Sequence, residues 1–417
     1  MLSVLTDTGR DRLAQRTRNL LLARSGPLLF LGLVLTVVSV LSLRAEIDQR
    51  YIDLEVYRFG VQAWLQGKDM YGTLPPTSVG AVLPFIYPPF AALLLSPFAL
   101  LPWAVATELL FALSLVAAIV TLYLTSRRLW PAGGTRGALV LTGLALPGVL
   151  QLEPLVGTFG FGQINLLLMA LVAVDCLTER PRWPRGLLVG IAAAIKLTPA
   201  AFVLFFLVRR DFRAVVVATL SGVAATLVGF LVAPGHSAHY WFGGLAGASG
   251  VSGTPFATNQ TLRGALARLD PPALVQTGLW LLLVAVVLAA AVLVMRRQDV
   301  PGALAVNAAA ALLVSPTSWS HHWVWVAPGL LVLFVHAVRV RSWLRLLVMA
   351  ATTAIFVIAP HMDLPRERKR ELLWTPVQHV IGNSYVLVTV ALLLVAAVPA
   401  VRALWAGRRA TPVATSR

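Results

Sequence analysis

The residues able to do chemistry in this chain lie in six separated stretches. In the first, Asp53-Leu-Glu55-Val-Tyr57 is followed by Gly67, Asp69 and Tyr71. An Asp at the head of a helix either caps free backbone amides or, held at a surface, takes a proton from a hydroxyl; Asp53 is open to both readings. Phe85-Ile-Tyr87-Pro88-Pro89 puts a proline pair at the mouth of an apolar run, with Tyr87 where an interfacial aromatic ring would sit. Gly162-Gln163-Ile-Asn165 offers amides that either cap a helix or hydrogen-bond sugar hydroxyls. Lys196 lies among small apolar residues, just ahead of Thr198-Pro199. Such a cation either snorkels to a headgroup or meets an anionic phosphate, because a buried unpaired ammonium is costly. Asn259-Gln260-Thr261-Leu-Arg263 reads as the recognition face of a short amphipathic helix, for sugar or phosphate. Finally, Ser318-Trp319-Ser-His321-His322-Trp323 sets two histidines among tryptophans. Adjacent His side chains point in different directions on a helix, so a hydrogen-bonding or acid/base imidazole beside an aromatic sugar platform is expected, rather than a metal pair. No zinc spacing, P-loop, G-x-S-x-G or dinucleotide fingerprint occurs, so nucleotide chemistry has no visible site.

The elements that must position these residues are membrane helices. Of 417 residues 58% are hydrophobic and only 12% charged, about half the charge of a soluble domain. A spanning helix needs about 20 mostly apolar residues, and candidate spans read with that window fall near 26–43, 103–126, 137–152, 163–178, 214–233, 273–295, 301–316, 323–338, 343–360 and 385–402. Two more apolar stretches, 86–101 and 186–208, are broken by prolines and read as short or re-entrant helices. The single cysteine, Cys176, cannot form an internal disulfide and reads as helix filler.

Charge sets the expected orientation. With the N-terminus inside, the inner loops and termini hold 23 of the 34 basic residues and 6 of the 17 acidic ones, which carries the whole +17 excess on one face. The arginine clusters are then topological anchors and contacts for anionic lipid, and the basic composition does not argue for nucleic acid. The expected organisation is a cytoplasmic segment 1–25, one transmembrane domain 26–402 and a cytoplasmic tail 403–417. The first apolar run reads as a retained signal anchor, since residues 43–45 make a poor cleavage site. Three long loops, 44–86, 234–272 and 361–384, face outward. The first carries Leu54, Tyr57, Val61, Trp64 and Leu65 at helical spacing, an amphipathic helix along the interface with Gly67 as its stop. The basic run at 366–370 in the third reads either as a lipid contact or as a solvated face.

Taken in order over about 50–325, the six stretches resemble glycosyltransferase family 87, integral-membrane enzymes of GT-C architecture that include actinobacterial α-mannosyltransferases. Thr261 stands where the family pattern has Ser, which keeps the hydroxyl. The C-terminal quarter carries no signature. The resemblance implies an all-α polytopic bundle of about 10–12 transmembrane helices of the GT-C type. It also implies transfer from a polyprenyl-phosphate sugar, polyprenyl-phosphate mannose above all, to a lipid-anchored mannoside (phosphatidylinositol mannoside or lipomannan). The family's essential first-loop Asp falls on Asp53.

A β-linked donor giving an α-(1→2) product means inversion: one displacement and one general base, Asp53. Lys196, Arg263 and His322 are placed to stabilise the departing phosphate, with His322 alternatively orienting the acceptor. Glu55, Tyr57, Tyr87, Gln163, Asn165, Asn259, Gln260, His321 and Trp319 complete the expected substrate-binding set. No cofactor and no metal are expected, because no diphosphate needs a clamp. The competing classes are a transporter or flippase of lipid-linked glycans, against which the halves show no strong inverted repeat, and a transferase using another polyprenyl-phosphate sugar such as arabinose or glucose.

Overall fold

The computed structural model describes residues 22–47, 51–243, 253–366 and 368–409. Most of the expected cytoplasmic segment 1–25, with Arg10, Arg12, Arg16 and Arg18, and the tail beyond 409 lie outside the described residues. Regular structure among the described residues is helical, apart from one isolated bridge between Asn259 and Trp319.

The α-helices are α1 (Ser25–Glu46), α2 (Ile52–Leu65), α3 (Pro89–Leu100), α4 (Trp103–Leu129), α5 (Gly134–Val149), α6 (Glu153–Phe161), α7 (Asn165–Leu177), α8 (Leu187–Ile195), α9 (Val203–Val208), α10 (Phe212–Val232), α11 (Pro234–Phe242), α12 (Leu262–Ala267), α13 (Ala273–Met295), α14 (Val300–Val314), α15 (Val326–Arg339), α16 (Trp343–Ile358), α17 (Pro376–Gly382) and α18 (Ser384–Arg409). Seven helical segments among the described residues are long and apolar enough to span a membrane: Ser25–Glu46, Trp103–Leu129, Phe212–Val232, Ala273–Met295, Ser320–Arg339, Trp343–Met362 and Ser384–Ala403. The chain is thus an all-α multi-pass membrane protein. Its lipid-facing surfaces are apolar side chains, as on α1, where Phe30, Leu33, Val38 and Leu41 are all exposed.

Three expected spans turn out differently. The 137–152 stretch continues, after a 76° bend, into α6, so α5 and α6 are a broken pair. Leu150–Leu152 interrupts the helix, and Pro154 starts the next one where its missing N–H costs nothing. The 163–178 and 301–316 stretches form α7, of 13 residues, and α14, of 15. At 1.5 Å per residue these reach only about 20 Å, well short of the hydrocarbon thickness. Short helices leave room at their ends, and a cavity opens there.

The proline-broken stretches behave as their sequence dictates. Residues 187–208 split into α8, a 3-10 turn over Thr198–Phe202 and α9, with Lys196 extended (φ −145°, ψ 131°) in the gap. Helix α2 buries Leu54, Val56, Tyr57, Gly60 and Val61 and ends at Gly67, whose φ of +72° suits glycine. Elsewhere small residues permit close helix approach: a Cβ on Gly32 of α1 would lie 2.8 Å from the Gly143 carbonyl oxygen of α5. An Arg44–Glu108 pair, with Arg44 stacked 3.7 Å over the Phe111 ring, fastens α1 to α4. Cys176 is buried and unpaired.

Candidate active site

Asp53 is not an N-cap. Tyr51 occupies that position in left-handed conformation (φ 46°), and its side chain makes no cap bond. Asp53 therefore lies inside the first turn with its carboxylate free for other work. The Tyr51 amide donates to the Gly160 carbonyl at 3.3 Å. Gly162, at φ +67°, lets the chain turn against α2; a Cβ there would meet Leu54 Cβ at 2.9 Å. This close fit delivers Gln163 to the first turn of α2.

Gln163 is the hub. Its Oε1 accepts from Tyr57 Oη at 2.7 Å and from Tyr87 Oη at 3.4 Å. The two phenols lie 3.0 Å apart, with their rings edge to face at 5.1 Å. With the amide oxygen engaged, the NH₂ remains to donate to Asp53. Burial raises the half-buried Asp53 carboxyl to about 6, against the opposing pull of the Gln163 hydrogen bond and the Lys196 charge. A carboxylate so placed is ionised at neutral pH yet basic enough to take a proton.

Lys196 faces the same centre from the broken helix. Its Nζ donates to Asn165 Oδ1 at 3.1 Å, lies 3.4 Å from His322 Nε2, and stands 5.5 Å from the centre of the Tyr87 ring. An ammonium has only donors, so Nε2 of His322 accepts and the imidazole proton sits on Nδ1. Among the described residues Lys196 forms no carboxylate salt bridge, and its Nζ turns to Asn165 and His322. Asn165 is likewise no cap: its Nδ2 donates to the His321 carbonyl at 3.0 Å, which Thr158 Oγ1 also meets at 2.8 Å. The two imidazoles are perpendicular and 4.7 Å apart; His321 is buried against Phe161, while His322 turns to Lys196.

Tyr87, Asn165, Lys196 and His322 form the polar end of a cavity of about 790 Å³. Its other walls are chiefly apolar, including Leu168, Met169, Val172, Phe202, Trp280 and Leu312. An anionic head with a hydrocarbon tail matches such a lining. Among the described residues no set of three or more His, Cys, Asp or Glu side chains converges as metal ligands would.

The remaining expected residues play other structural parts. Glu55 accepts from the Ser78 amide and hydroxyl at 2.9 and 3.2 Å, tethering the loop that leads to Tyr87. Asn259 and Gln260 precede α12 instead of lying on it, and both are fully buried. Asn259 Oδ1 accepts from the Ser318 amide, and Gln260 Nε2 donates to the carbonyls of Ala257 and Gly382. Together with the Asn259–Trp319 bridge, they hold the 315–319 segment that lines the cavity. Arg263 stacks 5.0 Å from the centre of the Trp280 ring, itself a cavity wall.

Two charged residues were not anticipated. Glu153 accepts from Ser320 Oγ at 2.7 Å and from Tyr385 Oη at 2.9 Å, clamping the histidine segment to α6 and α18. Arg268, 1% exposed, donates to the Phe256 and Asn259 carbonyls and to Asn383 Oδ1; burial lowers its pKa to about 10, with Glu371 opposing. The five-residue spacing from Arg263 puts it on another side of the short helix, a signal available but unused. Glu371 and Trp374 are also buried, so the 361–384 stretch is not simply a solvated charge run.

Comparison with known proteins gives a consistent result. Residues 85–316 match the model of glycosyltransferase family 87. A Mycobacterium tuberculosis (H37Rv) protein described as polyprenol-phosphate-mannose-dependent alpha-(1-2)-phosphatidylinositol mannoside mannosyltransferase is 39% identical over 360 residues, 83% of this chain and 84% of the relative. A Mycolicibacterium smegmatis protein of the same description is 40% identical, over 80% of this chain and 81% of its own. A second M. tuberculosis protein (CDC 1551), described as acting on phosphatidylinositol pentamannoside, is 35% identical over 71% and 69%. No solved structure gives a significant match. With the family model matched over more than half its length and relatives of this identity across four-fifths of it, the chain belongs to glycosyltransferase family 87.

Proposed function

We propose that the chain transfers mannose from polyprenyl-phosphate mannose to a phosphatidylinositol mannoside, forming an α-(1→2) linkage with inversion at the outer face of the membrane. The observation that carries this reading is Lys196, a cation that forms no carboxylate salt bridge among the described residues, at the polar head of a largely apolar cavity and joined through Tyr87 and Gln163 to Asp53. The donor's phosphate would meet Lys196 and its lipid tail the apolar walls.

The acceptor hydroxyl attacks the anomeric carbon and gives its proton to Asp53. The bond from that carbon to the phosphate oxygen breaks, and the electron pair leaves with the phosphate. Lys196 balances the charge that develops there, and the phosphate needs no protonation to leave. His322 and Asn165 position Lys196; Gln163 positions Asp53. A single cation suits the single phosphate of this donor, so the reaction is expected to proceed in a chelator. The arginine excess supports a cytoplasmic side for both termini. The relatives described as acting on phosphatidylinositol mannoside match at higher identity than the one described as acting on the pentamannoside, which favours the former class of acceptor.

The test is transfer of radiolabelled sugar in membranes containing this protein, with polyprenyl-phosphate mannose, glucose and arabinose compared as donors. Mannose transfer alone, onto inositol mannosides and unaffected by EDTA, is expected. Transfer of glucose or arabinose but not mannose would contradict the donor assignment.

A further inference from the structure

Beyond Tyr87, the cavity rim carries a second polar and aromatic cluster with no part in the steps above. It forms where the loop after α2 meets α11. The Tyr71 ring lies 5.4 Å from His239, 5.8 Å from Tyr240 and 6.2 Å from His236. Its hydroxyl donates to the Tyr87 carbonyl at 2.9 Å, so rim and cavity are fastened together. Tyr240 is itself a cavity wall.

Asp69 sits in front of these rings. Its Oδ1 accepts from the Tyr71 amide at 3.0 Å and stands 3.9 Å from His236 Nε2, whose nearer partner is the Lys68 carbonyl at 3.2 Å. Its Oδ2 faces His239 Nδ1, also at 3.9 Å. That separation is beyond hydrogen-bond reach, so acceptor and imidazole confront each other without being joined. Both side chains are open to solvent, at 51% and 48% exposure.

We infer that this rim is a carbohydrate subsite holding acceptor mannose units remote from the hydroxyl that reacts; the inference rests on the mannosyltransferase reading. A pyranose has a C–H face that packs on aromatic rings and a girdle of hydroxyls that need donors and acceptors. The partly exposed rings of Tyr71 and His239 supply the first, and Asp69 Oδ2 with His239 Nδ1 supplies the second. The donor has no use for such a place. In the proposed reaction its single sugar lies between Lys196 and Asp53, and the rest of it is hydrocarbon and phosphate. An acceptor that already bears several mannoses has neutral, hydroxyl-rich units to anchor.

The experiment is a titration of the detergent-solubilised full chain with a soluble α-linked mannotriose, followed by saturation-transfer NMR. Wild type should bind, while Asp69→Ala and His239→Ala should each weaken binding about tenfold. The conservative changes Asp69→Asn and His239→Gln should restore part of it. Wild type that binds no mannotriose, or alanine variants that bind it unchanged, overturns the inference. Unchanged affinity with a lowered melting temperature would assign the cluster to loop docking alone. A wild type that binds mannotriose but transfers no mannose would sink the proposed reaction and leave the subsite standing.

Discussion

Gln163→Leu separates the proposed base from its surroundings. In the structure the Gln163 amide engages Tyr57 and Tyr87 through its oxygen and Asp53 through its nitrogen. Leucine removes the donor to Asp53, whereas Tyr57 can still bond Tyr87, whose hydroxyl lies 3.0 Å away. A hydrogen bond to a charged group is worth about 1.5–3 kcal/mol, which is roughly one to two pKa units. Losing it disfavours the carboxylate, so the Asp53 pKa moves up from about 6 to between about 7 and 8. A base works only when ionised, and activity falls as pH drops through its pKa. At pH 7 the variant at the upper limit would thus keep only about a tenth of its Asp53 ionised, against about nine-tenths in wild type. The assay is the pH profile of kcat/KM for mannose transfer between pH 5 and 9. Expected is an acid limb near 6 in wild type that shifts upward in Gln163→Leu, with activity recovered toward pH 9. A loss of the same size at every pH would refute the reasoning, because it would report misfolding or lost substrate contact instead of a displaced titration.

Three further outcomes follow from named contacts. Lys196→Gln should raise KM for the donor more than tenfold, in a steady-state assay against polyprenyl-phosphate mannose, while leaving acceptor KM nearly unchanged. Gly162→Ala should cost about 2 kcal/mol or more from the left-handed backbone and the 2.9 Å approach to Leu54, read as a lower melting temperature together with lost transfer. Arg268→Met should destabilise by about 3 kcal/mol, seen in thermal unfolding in detergent, because three carbonyls and Asn383 lose their buried donor.

Much of this was legible in the sequence because membrane burial leaves a coarse record. Hydropathy located the long helices, prolines 88, 89 and 199 marked the broken ones, and Gly67 marked the end of α2. Clustering of the site was less legible, since it depends on approach between distant segments. Asp53 stayed open between cap and proton acceptor because position in sequence cannot reveal that Tyr51 turns left-handed and takes the cap position. Gln163 and Asn165 stayed open between cap and sugar ligand for the same reason, and both side chains point across helices. The shortness of α7 and α14 was legible, since polar residues bound both closely (Gln163 and Thr178, Asp299 and Ser315), but hydropathy alone read them as spans. Asn259 and Gln260 read as recognition residues from their polarity. Their burial shows that polar side chains near a site can serve the backbone around it. Glu153 carried no local motif at all: its partners come from residues 320 and 385.

The claim at the centre is that Asp53 is the proton acceptor. It is tested most directly with purified Asp53→Asn in nanodiscs, supplied with polyprenyl-phosphate mannose labelled in the sugar and a phosphatidylinositol mannoside acceptor. Because the folded-state carboxyl is raised to about 6 from 3.8, the ionised form costs the fold about 3 kcal/mol above pH 6 and nothing below the unfolded value. The amide should therefore melt no lower than wild type at neutral pH, and donor affinity should stay within about twofold. Wild type should give a product cleaved by an α-(1→2)-mannosidase, and the variant at least about a hundredfold less of it. A folded variant that binds donor and keeps more than about a tenth of the wild-type rate would contradict the assignment, and the base would have to be sought elsewhere around Lys196.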